Sequence, residues 1–137
     1  FNLFIADFKN CYFIKHNNRK NNFKFTQIKE GLSIMTDKDI NEKNDKKINY
    51  YYNLFSSSKI PNPSIEDWAN WKKNLSQNDN KTLVNFEKIC FIDKKSNYGT
   101  RSSSLIALPN YKINKKIIFK STKSFPRKNN YIDVKFN

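Results

Sequence analysis

The sequence predicts an α+β fold made of antiparallel sheets with flanking helices. Three observations carry this reading. Short β-prone apolar runs gather toward both ends of the chain, two stretches with helical apolar spacing lie between them, and the connections are short and polar.

Asn2–Phe8 (NLFIADF) and Cys11–Ile14 (CYFI) flank a polar turn at Lys9-Asn10 and read as a β-hairpin. Both runs are nearly continuous in apolar residues, so both faces are expected to be covered. Asn17–Asn22 (NNRKNN) is a polar loop, and Phe23–Glu30 alternates as a third strand up to a turn at Gly31. Thr36–Lys47 begins as a charged loop. Ile48, Tyr51, Tyr52 and Phe55 then stand at i, i+3, i+4 and i+7, which predicts a helix closed by Ser56-Ser57-Ser58. Pro61-Asn62-Pro63 breaks the chain. Ser64 and Asp67 are spaced for a capping box opening a second helix, with Ile65, Trp68, Trp71 and Leu75 as its apolar stripe. After a polar linker at Gln77–Lys81, Leu83–Phe86 carries no decisive pattern. Ile89–Ile92 (ICFI), Ser102–Leu108, Ile113–Lys120 and Tyr131–Phe136 read as strands, with a turn at Pro109-Asn110.

The chain of 137 residues suits one domain with a modest core. A hydrophobic content of 37% and an aromatic content of 15% exclude a disordered tail. The net charge of +14, from 26 basic and 12 acidic residues, raises a nucleic-acid reading. The excess is nearly all lysine, dispersed along a chain also rich in asparagine and isoleucine, as an AT-rich coding sequence would produce. Charge of that kind governs solubility and non-specific attraction, so nucleic acid is an alternative partner and not the leading one. Cys11 and Cys90 lie in apolar stretches and read as buried free thiols, which suits a reducing, cytoplasmic compartment. No apolar run is long enough to span a bilayer, and no signal peptide is visible. The chain opens at Phe1 directly into a strand-like run, so it is expected to be a fragment.

Few residues could carry chemistry. His16 is the only histidine, and no spaced Cys/His set predicts a metal site. Two glycines exclude a dinucleotide fingerprint or a P-loop. Glu66-Asp67 reads as charge at a helix N-terminus, and Asp37 and Asp39 as loop acids. Tyr50-Tyr51-Tyr52 and Trp68/Trp71 read as core rather than as a stacking platform, because aromatics supply most of a small domain's burial. Two clusters remain, Gly31-Leu32-Ser33 and Tyr98-Gly99-Thr100-Arg101-Ser102-Ser103, each a polar group at a glycine turn beside a strand. Arg101 is one of only three arginines. A guanidinium there presents a rigid fork of donors to a carboxylate or a developing oxyanion. Equally, it could pair with a structural acid; the residues alone leave both readings open.

The stretch Tyr98–Leu108 (YGTRSSSLIAL) resembles the Tyr-Gly-Thr-Arg-Ser-Ser-Thr signature, followed by an aliphatic strand, of the NRDE family, also called the transport-and-Golgi-organisation protein 2 family. Phe1–Asp7 (FNLFIAD) is similar to that family's Phe-Asn-Leu-Leu-Val-Gly-Asp segment, and Glu30–Ile34 (EGLSI) to its Gly-Leu-Ser-Asn. The helix ending in Leu54-Phe55, the Trp68 helix with Leu75-Ser76, and Cys90–Ile92 come in the family's order. The resemblance covers nearly the whole chain and only the C-terminal half of the family domain.

The resemblance implies a partial αββα sandwich of the N-terminal-nucleophile hydrolase type. It implies a site in which a first-residue cysteine attacks an amide with its own α-amine as base, an asparagine amide helps hold the oxyanion, and an arginine sits beside the nucleophile. Arg101 matches the signature arginine and Ser33 the serine of Gly-Leu-Ser-Asn; Tyr98, Gly99, Thr100, Ser102 and Ser103 complete the implied binding segment. The family's Met-Cys start and Asn-Arg-Asp-Glu motif do not occur. Ile34 stands where asparagine is expected, and Thr122-Lys123-Ser124-Phe125 stands where the family often has Glu-Arg before an aromatic. Losing one oxyanion donor costs about 2.7–4 kcal/mol of transition-state stabilisation. Family links to haem trafficking and lipid homeostasis imply a planar or amphipathic ligand, with haem as the candidate cofactor.

Residues 1–137 are therefore expected to be the C-terminal part of a single NRDE domain and catalytically silent. The expected parent is a cytoplasmic haem- or lipid-handling protein without a transmembrane segment. An N-terminal-nucleophile cysteine amidase is the alternative, and a basic nucleic-acid-binding domain the second. Arg101 is expected to face a pocket whose other wall lies outside these residues. An apolar sheet face and strand edges are expected to stand uncovered.

Overall fold

The computed structural model describes residues 1–17, 22–78, 81–110, 112, 116–127 and 130–135. Its class is α+β, with three small antiparallel sheets and two α-helices among those residues. The chain divides into two compact units, Phe1–Tyr52 with Leu108–Lys116 and Asn53–Ala107 with Ile117–Asn137.

The first unit is a meander of β1 (Asn2–Ala6), β2 (Cys11–Asn17) and β3 (Asn22–Gln27), in that spatial order. Asp7 makes the first turn, its carboxylate accepting from the backbone N–H groups of Lys9 and Asn10 at 2.7 and 2.6 Å. The pairing sets Leu3 opposite Ile14 and Ile14 opposite Phe25, with Ile5 opposite Tyr12 and His16 opposite Phe23. Side chains alternate across a sheet, so Phe1, Leu3, Ile5, Tyr12, Ile14, His16, Phe23 and Phe25 share one face. Six of them are exposed, from 38% at Tyr12 to 65% at Phe1 and Phe25. The expectation that both faces of this hairpin are covered does not hold. On the opposite face Phe13 is buried, as are Ile48 and Tyr51 of α1 (Lys46–Ser56). Asp45 starts this helix by accepting the backbone N–H of Ile48 at 2.8 Å, a side-chain N-cap.

The second unit contains Phe55 at the end of α1, a 3-10 turn at Pro63–Ile65, α2 (Ala69–Leu75) and a 3-10 turn at Asn85–Glu87. The hairpin of β4 (Ile92–Asp93) and β5 (Tyr98–Gly99) follows, and then the sheet β6 (Ser104–Ala107), β7 (Ile118–Thr122) and β8 (Tyr131–Asp133), in spatial order β6-β7-β8. Its core holds Phe55, Trp68, Leu83, Cys90, Leu105 and Pro126. The rings of Phe55 and Trp71 meet edge to face at 5.3 Å. Lys120 of β7 is only 6% exposed; its ammonium pairs with Asp133 at 2.7 Å and with Glu66 at 3.5 Å.

Several local expectations are corrected. Ser64 and Asp67 form no capping box. Glu66 adopts a left-handed backbone (φ 58°) that ends the 3-10 turn, and α2 begins only after Trp68, without a side-chain cap. Asn62, not Ser64, caps the 3-10 turn, and Ile65 stands 70% exposed instead of joining the stripe. Of the pair Glu66-Asp67, Asp67 does stand at the helix N-terminus, its carboxylate accepting from the backbone N–H of Ala69, the first residue of α2, and pairing with Lys59 at 2.7 Å, whereas Glu66 turns to Lys120. The Ile89–Ile92 strand shrinks to Ile92–Asp93, because Cys90 is fully buried among core groups with its thiol 3.8 Å from the Pro126 carbonyl. Tyr131–Phe136 is a strand only over Tyr131–Asp133, with Phe136 outside the described residues, and Ile113–Lys120 is paired only from Ile118; residues 113–115 also lie outside them.

The Lys120 pairing predicts a stability effect with a defined pH window. The Asp133 carboxylate first, and Glu66 second, raise the Lys120 pKa above the ordinary lysine value. A raised lysine pKa contributes stability that is fully present below the unfolded-state value and is lost as pH rises through the folded one. Lys120→Ala is expected to lower unfolding free energy by roughly 1–3 kcal/mol at neutral pH, the two acids being exposed enough to rehydrate. Lys120→Met keeps the buried stem and should cost less. Urea melts across pH check this: the gap between wild type and Lys120→Met should close above the ordinary lysine range.

Candidate functional site

The candidate site is built from the β4–β5 hairpin upward. Its turn is closed by Asp93, whose carboxylate accepts from the Ser96 hydroxyl at 2.6 Å and the Lys95 N–H at 3.1 Å; these bonds, Ser96 first, hold its carboxyl below the usual range. Asn97 takes a left-handed backbone (φ 52°), which asparagine tolerates better than most residues. Ile92 pairs with Gly99 and Asp93 with Tyr98. A Cβ on Gly99 would fall on the Phe91 carbonyl oxygen and lie 2.9 Å from the Ile92 Cα, so only glycine fits.

Thr100 locks this approach. Its N–H donates to the Phe91 carbonyl at 2.9 Å, its hydroxyl donates to the Ile89 carbonyl at 2.9 Å, and the same oxygen accepts from the Phe91 N–H at 3.3 Å. Three residues on, Ser103 is held as firmly. Its N–H donates to the Thr122 hydroxyl at 2.9 Å, its carbonyl accepts from the Thr122 N–H at 2.9 Å, and its hydroxyl accepts from the Tyr131 phenol at 2.9 Å. Burial raises the pKa of that phenol, keeping it a donor.

Arg101 and Ser102 form the short span between these anchors, and both are exposed. Arg101 donates to the Asn97 carbonyl at 3.4 Å, a long bond, and no carboxylate pairs with it among the described residues. The structural-acid reading of Arg101 thus finds no partner. Beside it the Tyr98 ring, 63% exposed, leans on Phe91 at 5.8 Å, and Phe91 meets Phe86 edge to face at 5.7 Å. A fixed bend therefore offers an unpaired guanidinium and an exposed aromatic face.

Ser33 belongs to the other unit. It is half-buried in the coil after Gly31, whose φ of 119° lies in the region that favours glycine. Ile34 contributes backbone only: its N–H donates to the Asn41 side chain at 2.7 Å and its carbonyl accepts from the Asn41 N–H at 3.1 Å. His16, also in that unit, packs in a triangle with the rings of Phe1 and Phe23, at 5.4 and 4.6 Å, with its Nε2 buried and unpartnered among the described residues. Cys90 is completely buried, which raises its pKa and withholds the thiol from ligands. Among the described residues no cluster of His, Cys, Asp and Glu is arranged for a metal ion.

Tyr131 and Thr122 were not legible as site residues. Each lies at least 19 positions from Ser103, and only the β6–β7–β8 register brings them to it.

No family model matches the chain, and neither curated proteins nor solved structures include a match.

Gly99→Ala is expected to destabilise the fold by about 2–3 kcal/mol, since backbone atoms would have to move. Thr100→Val should cost about 1–2 kcal/mol by leaving the Ile89 carbonyl and Phe91 N–H without the hydroxyl, and Thr100→Ser should recover most of it. Thermal melts of the three variants check both; equal losses for Val and Ser would contradict the hydroxyl bracket.

Proposed function

We propose that this chain is the C-terminal part of an NRDE-type domain whose parent handles a planar or amphipathic carboxylate such as haem, with Arg101 as the anion anchor and Tyr98 as the neighbouring face. The observation that carries the reading is the unpaired, exposed guanidinium of Arg101, held between the anchored residues Thr100 and Ser103. Arginine binds carboxylates bidentately and loses little freedom in doing so. The exposed Tyr98 ring supplies a surface on which a flat ligand could rest. These residues suit haem as cargo gripped through its carboxylates: Cys90 is fully buried, and the His16 Nε2 is buried beside the Phe1 and Phe23 rings.

Two further features support the family reading. The uncovered apolar face of β1–β3 is the surface that one sheet of a two-layer sandwich presents to the other. The Tyr98–Ser103 signature has a local physical rationale at Gly99 and Thr100. Among the described residues no helix is long and apolar enough to cross a membrane.

Haemin titrated into micromolar protein should shift its Soret band, and Arg101→Ala should weaken that response at least tenfold, the order expected for losing a charge-assisted pair. No shift, with a circular dichroism spectrum of folded protein, overturns the ligand reading. Hydrolysis of a chromogenic amide by this chain, abolished in Arg101→Ala, would favour the amidase reading in its place. Haemin binding that fades with salt equally in wild type and Arg101→Ala would reduce the interaction to bulk charge.

A further inference from the structure

A second concavity lies in the first unit, on the side of the β1–β3 sheet opposite the uncovered face. It is a hollow of about 510 Å³ between strands β2 and β3 and the loop 39–44. That volume is within the range of small-molecule sites. Thr26 and Ile40 supply its apolar surface over the Phe13 ring, which is itself only 2% exposed, and its charged groups are Lys24, Lys43, Asp39 and Glu42.

The walls are braced by bonds that need no ligand. Asn41, in a left-handed conformation (φ 52°), is tied to Ile34 through both its side chain and its backbone. The Lys43 carbonyl accepts from the Asn49 side chain at 2.6 Å, and Glu42 accepts from the Asn44 N–H at 3.3 Å. Asn2 on β1 donates to the Thr36 carbonyl at 2.8 Å.

The charge balance selects the occupant. Asp39 is already matched by Lys15 at 2.5 Å, the stronger of its two cation contacts and the first cause of its lowered pKa. Lys24 reaches Asp39 only at 3.3 Å, and its side chain remains 65% exposed. An ammonium has three donors, so Lys24 keeps donors to spare. Lys43 is exposed and enters no ion pair among the described residues. The lining charges balance, Lys24 and Lys43 against Asp39 and Glu42, but Asp39 is matched by Lys15 from outside the lining, so Lys24 and Lys43 are left facing Glu42 alone.

We propose that this hollow binds a small monoanionic carboxylate with an apolar body. Lys24 and Lys43 hold the carboxylate, and the Thr26 and Ile40 surface above the buried Phe13 ring receives the body. The site is separate from the Arg101 segment and does not rest on the family reading.

The test uses the 137-residue chain and 2-naphthoate as probe, followed by amide chemical shifts. Saturable shifts confined to residues 13, 24–26 and 39–44 are expected, with uncharged methyl 2-naphthoate binding at least tenfold more weakly. Lys24→Met/Lys43→Met should lose at least tenfold, while Lys94→Met/Lys95→Met, an equal charge change on the β4–β5 turn, should bind as wild type. Should the first double variant unfold, Lys43→Met at its exposed loop position carries the comparison. Absent or non-saturable shifts, shifts outside the hollow, or equal losses in both double variants overturn the proposal.

Discussion

The backbone of Gly99 lies so close to Phe91 and Ile92 that no side chain fits between them, and the Arg101 segment is organised around that approach. Thr100 fastens it with three hydrogen bonds to Ile89 and Phe91. Ser103 fastens the other end of the span to Thr122 and Tyr131. The chain between is left with two residues that reach outward, Arg101 and Ser102. A side chain anchored on both sides by its own backbone loses less freedom on binding than one on a mobile loop. The same geometry explains the residue types: glycine for contact, threonine for a hydroxyl that both donates and accepts, serine as acceptor for a buried phenol.

The first unit is organised by an asymmetry between the faces of one sheet. Phe13 is buried on one side with Ile48 and Tyr51, while six large apolar side chains on the other remain open to water. An exposed apolar face of that extent exceeds the singly scattered apolar residues of ordinary solvent-facing sheet. The open side also contains the His16 Nε2 without a partner. A covering layer would remove apolar area from water and would offer the imidazole a hydrogen-bond partner, which is the physical ground on which a sandwich is proposed. The braced hollow lies on the other side, where charged residues set around a Phe13 and Ile40 floor favour a small anion over a second protein layer.

Much of this was legible in the residues. Ile48, Tyr51 and Phe55 are buried as their helical spacing required, though Tyr52 of the same predicted face is 39% exposed, and the β1–β2 pairing follows from two apolar runs around a polar turn. The errors share a cause. Ser64 and Asp67 satisfy a capping pattern, yet Glu66 turns left-handed between them and the two acids go to Lys120 and Lys59, which sequence spacing does not reveal. Cys90 lies in a strand-like run but is held in the core, so pairing starts two residues later. At the candidate site, the glycine turn at Gly99 was legible as local chemistry, while Tyr131 and Thr122 became visible only through strand register.

By itself the sequence determined the α+β class, the buried stripe of the first helix and the position of the glycine bend. These depend on periodicity and on backbone rules that act over a few residues. Tertiary structure alone decided that Arg101 has no acid partner among the described residues, that Ser103 rests on Tyr131, and that one face of the first sheet is open. Each of those outcomes depends on which distant residues arrive at a given side chain, and local spacing carries no information about arrivals from 19 or 28 positions away.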